Sequence, residues 1–86
     1  MTETERASLR VSILQALKAA GSAGRPEDRL LTDARMAGFG DLSLPVLQSE
    51  LRAVADLNWV TSFTPIVGKR YRITSLGESI LVEAGV

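Results

Sequence analysis

The spacing of apolar residues changes near Asn58, and this change constrains the fold more than any other feature of the chain. Before it, apolar side chains recur every three or four residues, which is the period of an amphipathic helix. After it, residues 59–63 and 71–74 are mostly β-branched or aromatic, a composition that favours strands. Asn58 itself tolerates the left-handed backbone that ends a helix at a sharp corner. The chain is therefore predicted to be α+β, with helices first and a hairpin after them.

Three helices are predicted before the corner. The first spans 4–20, and the glycines that follow it indicate a turn. The second spans 26–38, since proline suits a first helical position and glycines favour the end of a helix. The third spans 45–57, with Asp41 and Ser43 ahead of it as candidate N-caps.

Two antiparallel strands and a last helix are predicted after the corner. The strands span 59–63 and 69–74, and a loop over 64–68 joins them. Ser75 and Glu78 have the Ser-x-x-Glu spacing of a capping box, which predicts a short C-terminal helix; the adjacent Thr74 is the alternative cap. Tyr71 and Ile73 would share one strand face and pack on the helices, and Gly77 would allow the last helix to approach the hairpin closely.

The chain is predicted to form one domain over residues 1–86, because 86 residues with 45% hydrophobic content suffice for one modest core. Trp59 is expected to pack between the third helix and the hairpin. The central core side chains are predicted to be Leu14, Leu17, Leu31, Leu47, Leu51 and Val54.

The sequence contains no cysteine and no histidine. Without cysteine the chain has no thiol nucleophile and no thiolate ligand. Without histidine it has neither the commonest general base nor the commonest metal ligand. Glycine-rich phosphate loops and nucleophile elbows are also absent from the sequence. We therefore expect no enzymatic activity, no catalytic or metal site and no cofactor.

The sequence also predicts that the protein is cytoplasmic and has no membrane partner. No apolar run approaches the roughly 18 to 20 residues that span a bilayer. The first five residues carry two glutamates, whereas a secretory signal would begin with basic residues.

Two short segments, residues 58–60 and 68–77, resemble segments of MarR-like and PadR-like transcriptional regulators. Asn58-Trp59-Val60 resembles the Gly-Leu-Val or Gly-Trp-Ile that closes their third helix, and residues 68–77 are similar to their Gly-x-Arg-x-Tyr-x-Leu-Thr-x-x-Gly ending. The resemblance implies a winged helix-turn-helix domain whose third helix enters the DNA major groove while the hairpin, or wing, touches the backbone or minor groove. It also implies a homodimer, because a domain of this size covers one half-site.

The predicted contacts with double-stranded DNA lie in two places. On the outer face of the third helix, Gln48 could hydrogen-bond to adenine and Arg52 to guanine. The alternative is that this face is simply polar and solvated. On the hairpin, basic side chains could meet phosphates, and Arg70 and Arg72 would point the same way; charge that protects a strand edge is the alternative. The six predicted DNA-binding residues are Gln48, Ser49, Arg52, Lys69, Arg70 and Arg72.

Charge argues against this function. The chain has ten basic and ten acidic residues, whereas nucleic-acid binders usually carry a basic excess. From Arg25 to Asp56 there are four arginines against six acids, so the helix-turn-helix region would repel phosphate unless Asp28, Asp33 and Glu50 face away from the groove.

The alternative function is a winged helix that binds protein and no nucleic acid. The predicted loop tip, Pro65-Ile66-Val67, is more apolar than a phosphate-seeking loop should be. An exposed Ile-Val pair would suit a protein partner or self-association. Acids that interrupt a positive stripe from Arg52 to Arg70 and Arg72 would favour this alternative.

Overall fold

The computed structural model describes residues 1–66 and 68–86, and this part of the chain contains four α-helices and one two-stranded hairpin. A short 3-10 turn over Gly21–Ala23 follows the first helix. The predicted α+β class and the order of the elements are confirmed. The elements are α1 (Glu3–Ala20), α2 (Glu27–Met36), α3 (Leu44–Asp56), β1 (Val60–Phe63), β2 (Arg70–Ile73) and α4 (Ser75–Glu83).

The residues that flank the first three helices set where these helices begin and end. Thr2 and Glu5 form a capping box, in which the Glu5 amide donates to Thr2 Oγ1 at 3.1 Å, so α1 begins one residue earlier than predicted. Pro26 is the N-cap of α2 and not its first residue. Ser43 is the N-cap of α3 but makes no side-chain capping bond. Asn58 has a φ of 63°, which confirms the predicted left-handed corner after α3.

The hairpin is antiparallel as predicted, but both strands are shorter. Val60 pairs with Ile73 and Phe63 pairs with Arg70. Trp59 lies outside β1 because its amide donates back to Val54 of α3 at 3.0 Å. Lys69 also lies outside its strand, because β2 begins at Arg70.

The cap of α4 differs from the predicted Ser75–Glu78 capping box. Thr74 is the N-cap, and its Oγ1 accepts from the Gly77 amide at 3.1 Å. The alternative that Thr74 caps the helix is therefore confirmed. Gly77 is buried, and a Cβ there would meet the Trp59 carbonyl, so the predicted close approach is also confirmed.

A third backbone segment joins the hairpin beside β2. The Arg25 amide donates to the Tyr71 carbonyl at 2.9 Å, and the Tyr71 amide donates to the Arg25 carbonyl at 2.8 Å. β2 therefore lies between β1 and the segment that leads into α2. These two bonds fix the start of α2 against the hairpin.

One core lies between α1 and the other elements. Five of the six predicted core residues are buried, whereas Leu31 is only partly buried against the core. Trp59 is likewise partly buried against the core. The buried apolar side chains are Leu9, Ile13, Leu14, Leu17, Leu30, Ala34, Leu42, Leu47, Leu51, Val54, Val60, Tyr71 and Leu81.

The arrangement of three helices, a hairpin and a last helix is compatible with a winged-helix layout. Within residues 1–66 and 68–86, no helix is both long enough and apolar enough to cross a membrane.

Candidate functional site

The predicted DNA-binding residues of α3 lie on its outward side, but they differ in exposure and in hydrogen bonding. Ser49 and Arg52 are exposed, opposite the buried Leu47, Leu51 and Val54. Gln48 is only partly exposed, and its Nε2 donates to Glu27 Oε1 at 3.0 Å. The amide of Gln48 is thus oriented by a carboxylate at the start of α2.

The three basic residues of the hairpin lie on two different faces. Lys69 lies beside Tyr71, with its Nζ 5.3 Å from the centre of the Tyr71 ring. Arg70 and Arg72 alternate with Tyr71 along β2, so they share the opposite face, as predicted. The predicted basic cluster is therefore divided by the sheet.

Lys69 meets the α3 residues in a groove between α3 and the hairpin, which we call the α3–hairpin groove. It is an open cavity of about 320 Å³. Arg52 and Gln48 contribute from α3, and Glu27 contributes from the start of α2. The residues that line it are Glu27, Gln48, Leu51, Arg52, Ala55, Ser62, Lys69 and Tyr71.

Arg70 and Arg72 do not line this groove. The Arg70 guanidinium donates to the carbonyls of Ala23 and Gly24 at 3.0 and 3.1 Å. The Arg72 guanidinium stacks on the Phe63 ring with its centre 4.3 Å from the ring centroid. A positive stripe from Arg52 to Arg70 and Arg72 is therefore interrupted by the hairpin itself.

Two of the acids that would repel phosphate are paired with arginines away from the groove. Glu50 is buried on the α1 side of α3, where its carboxylate meets Arg6 at 3.1 Å and Arg10 at 2.8 Å. Asp33 lies 3.4 Å from the Arg25 Nε. Glu27 is the only acid among the lining residues of the groove in the described part of the chain.

The loop tip of the hairpin is exposed where it is described. Pro65 is exposed, and the Ile66 side chain is 100% exposed. Val67, the third residue of the predicted apolar tip, lies outside the described residues.

Across residues 1–66 and 68–86, no three acidic side chains come together in a group that could hold a metal ion. That the protein has no catalytic, metal or cofactor site stays a prediction.

Sequence reasoning missed the residues that connect the elements. In the sequence Glu27 is only one of the six acids between Arg25 and Asp56, yet in the structure it orients Gln48 from 21 positions away. Arg25 was counted only as a charge, yet its backbone pairs with Tyr71. Neither contact repeats with a helix or strand period, so no local pattern could have predicted it.

Comparison with known proteins gives no relative for this chain. No protein-family model matches it, and neither a curated protein nor a solved structure matches it significantly.

Proposed function

We propose that this domain is a winged helix that binds double-stranded DNA as part of a transcriptional regulator. In this proposal α3 lies in the major groove and the hairpin lies against the backbone. The order of the elements and the resemblance of residues 58–60 and 68–77 to MarR-like and PadR-like regulators support it.

The observation that carries the proposal is the distribution of charge around α3. Arg52 and Lys69 reach the α3–hairpin groove from two different elements. Of the two acids within α3, Glu50 is buried against Arg6 and Arg10 on the other side of the helix, and Asp56 does not line the groove. The local charge of the groove is therefore more favourable to phosphate than the sequence total suggests.

The size of the domain favours a dimer on DNA. Its longest dimension is 36 Å. One helical turn of B-DNA is about 34 to 36 Å, so a single copy covers one half-site. A homodimer would supply the second half-site at a fixed spacing.

The test is a fluorescence anisotropy titration with mixed-sequence duplex DNA at low and moderate salt. Replacing Arg52 and Lys69 with alanine is expected to weaken binding and to reduce the slope of log K against log salt by roughly one unit per lost phosphate contact. Lys18→Ala is the matched control, since it removes one exposed positive charge at the end of α1, outside the groove. Absence of salt-sensitive binding by the wild type in low-salt buffer would overturn the proposal.

A second candidate function is protein binding through the loop tip, favoured by the full exposure of Ile66. In that case Ile66→Ser would abolish binding to a protein partner or self-association, and the duplex titration would show no binding. The same titration therefore separates the two candidates.

A further inference from the structure

A second cavity lies on the far side of β2 from the α3–hairpin groove. It has a volume of about 420 Å³ and opens where α1 ends, α2 begins and β2 passes between them. Three arginines line it, and none of its lining residues is acidic. We call it the arginine cavity; its lining residues are Ala20, Ala23, Gly24, Arg25, Pro26, Arg29 and Arg70.

Arg70 is held in position there without losing its charge. Its Nε and one Nη donate to the carbonyls of Ala23 and Gly24. Carbonyl oxygens orient the guanidinium but are uncharged, so they leave its positive charge uncompensated. The remaining N–H donors of the fork stay available to an oxygen-rich ligand.

Arg25 and Arg29 add to this charge from the chain segment opposite. The backbone of Arg25 is fixed by its two bonds to Tyr71, and its side chain meets Asp33 at 3.4 Å. Arg29 is exposed in the first turn of α2, and no ion pair to it is formed within residues 1–66 and 68–86. Three guanidinium groups therefore face a single partner carboxylate, that of Asp33.

The start of α2 strengthens the preference for an anion. Its N-cap is Pro26, which provides no side-chain acceptor for the first amides of the helix. The positive end of the helix dipole thus lies at the cavity, where it is partly offset by Glu27 and Asp28 of the first turn, neither of which lines the cavity. This dipole supplements the arginines, which are the main determinants.

From this arrangement we propose that the arginine cavity binds a phosphoryl group. Guanidinium forks match the oxygens of phosphate in geometry and charge, and Arg70 is ordered for this contact before any ligand arrives. The cavity falls within the size range of small-molecule sites, so it accommodates a phosphoryl group with an organic moiety attached. The source is either a free phosphorylated compound or a phosphate of the DNA backbone.

The test uses the full chain, with inorganic phosphate as the first probe and an unlabelled short DNA duplex as the second. Phosphate is titrated while the NMR signals of the Ala23 and Gly24 amides and the Arg70 Nε–H are followed. Arg29→Ala is the main variant, because Arg29 is exposed and lies outside the core, so its removal is expected to leave the fold intact. Lys18→Ala is the control, an exposed basic residue outside both the arginine cavity and the α3–hairpin groove.

We expect phosphate to shift the three signals and Arg29→Ala to weaken its binding about tenfold, the loss that corresponds to one charge-assisted hydrogen bond. Lys18→Ala should leave phosphate binding unchanged. If Arg29→Ala weakens duplex binding as well, or duplex binding alone, the phosphoryl group belongs to the DNA backbone. If it weakens only phosphate binding, the ligand is a free phosphorylated compound.

Two results would overturn the proposal. In the first, neither phosphate nor duplex binding depends on Arg29. In the second, Lys18→Ala weakens phosphate binding as much as Arg29→Ala does, which would indicate a general charge effect. Phosphate binding does not require DNA binding, so failure of the proposed function and failure of this site remain distinguishable.

Discussion

Replacing Gly77 with alanine should destabilise the domain, because α4 touches the hairpin at this residue. An added Cβ would meet the carbonyl oxygen of Trp59, and it would lie 2.7 Å from Cγ1 of Ile73. The Trp59 carbonyl cannot retreat freely, since it accepts from the amide and from Oγ1 of Thr74, both at 3.0 Å. Relief therefore requires α4 to move away from the sheet and its cap to loosen.

The expected loss follows from two opposing effects. Overpacking of this kind costs about 1 to 3 kcal/mol, with the upper part of the range expected because the contact is with backbone. Alanine regains roughly 0.5 to 1 kcal/mol in a helix relative to glycine. The net loss is about 2 kcal/mol, which in a domain of this size corresponds to a decrease in Tm of roughly 8 to 16 °C.

Urea unfolding followed by Trp59 fluorescence and by circular dichroism measures this loss. Gly40→Ala is the matched control, because a Cβ there meets no atom within 4 Å and Gly40 does not have a positive φ. Its free energy of unfolding should stay the same or rise by up to about 1 kcal/mol. If Gly77→Ala and Gly40→Ala unfold at the same urea concentration, α4 does not approach the hairpin as closely as described.

Two further predictions concern α3. Leu51→Ala should cost about 2 to 5 kcal/mol in urea unfolding, because Leu51 is fully buried, whereas Leu57→Ala should cost much less, since Leu57 is 44% exposed; equal losses would refute the assigned helix phase. Gln48→Ala should weaken duplex binding by about 1 to 3 kcal/mol at one preferred base pair. Glu27→Ala, which frees the Gln48 amide, should relax that preference in anisotropy titrations of single-base variants, and an unchanged preference would contradict the role of Glu27.

The helices, the corner and the hairpin could be predicted because their signals are local. The three- and four-residue spacing of apolar side chains places Leu47, Leu51 and Val54 on one face, and packing then buries that face. Asn58 signals the corner through its own backbone preference. The cap of α4 was harder to predict, because Thr74 and Ser75 are adjacent and both hydroxyls suit an N-cap.

The candidate site could be predicted only in part, because its contacts join distant residues. Alternation along β2 correctly placed Arg70 and Arg72 on one face. The side of the sheet on which these two arginines lie depends on the strand register and on the loop after α1. The carbonyls of that loop accept hydrogen bonds from Arg70. The orientation of Gln48 depends in the same way on Glu27. Such contacts arise when helices pack, and a periodic pattern does not encode them.

A net charge of zero has different consequences once the charges are placed in the fold. The total opposes anion binding only if acids and bases are mixed evenly over the surface. Here the segment from 57 to 77 contains three basic residues and no acid, whereas α4 carries Glu78 and Glu83 and no base. Glu50 and Asp33 form ion pairs with arginines within the domain. A neutral chain can therefore present a positive hairpin and a positive cavity, and the salt dependence of binding, which counts local phosphate contacts, is the measurement that detects them.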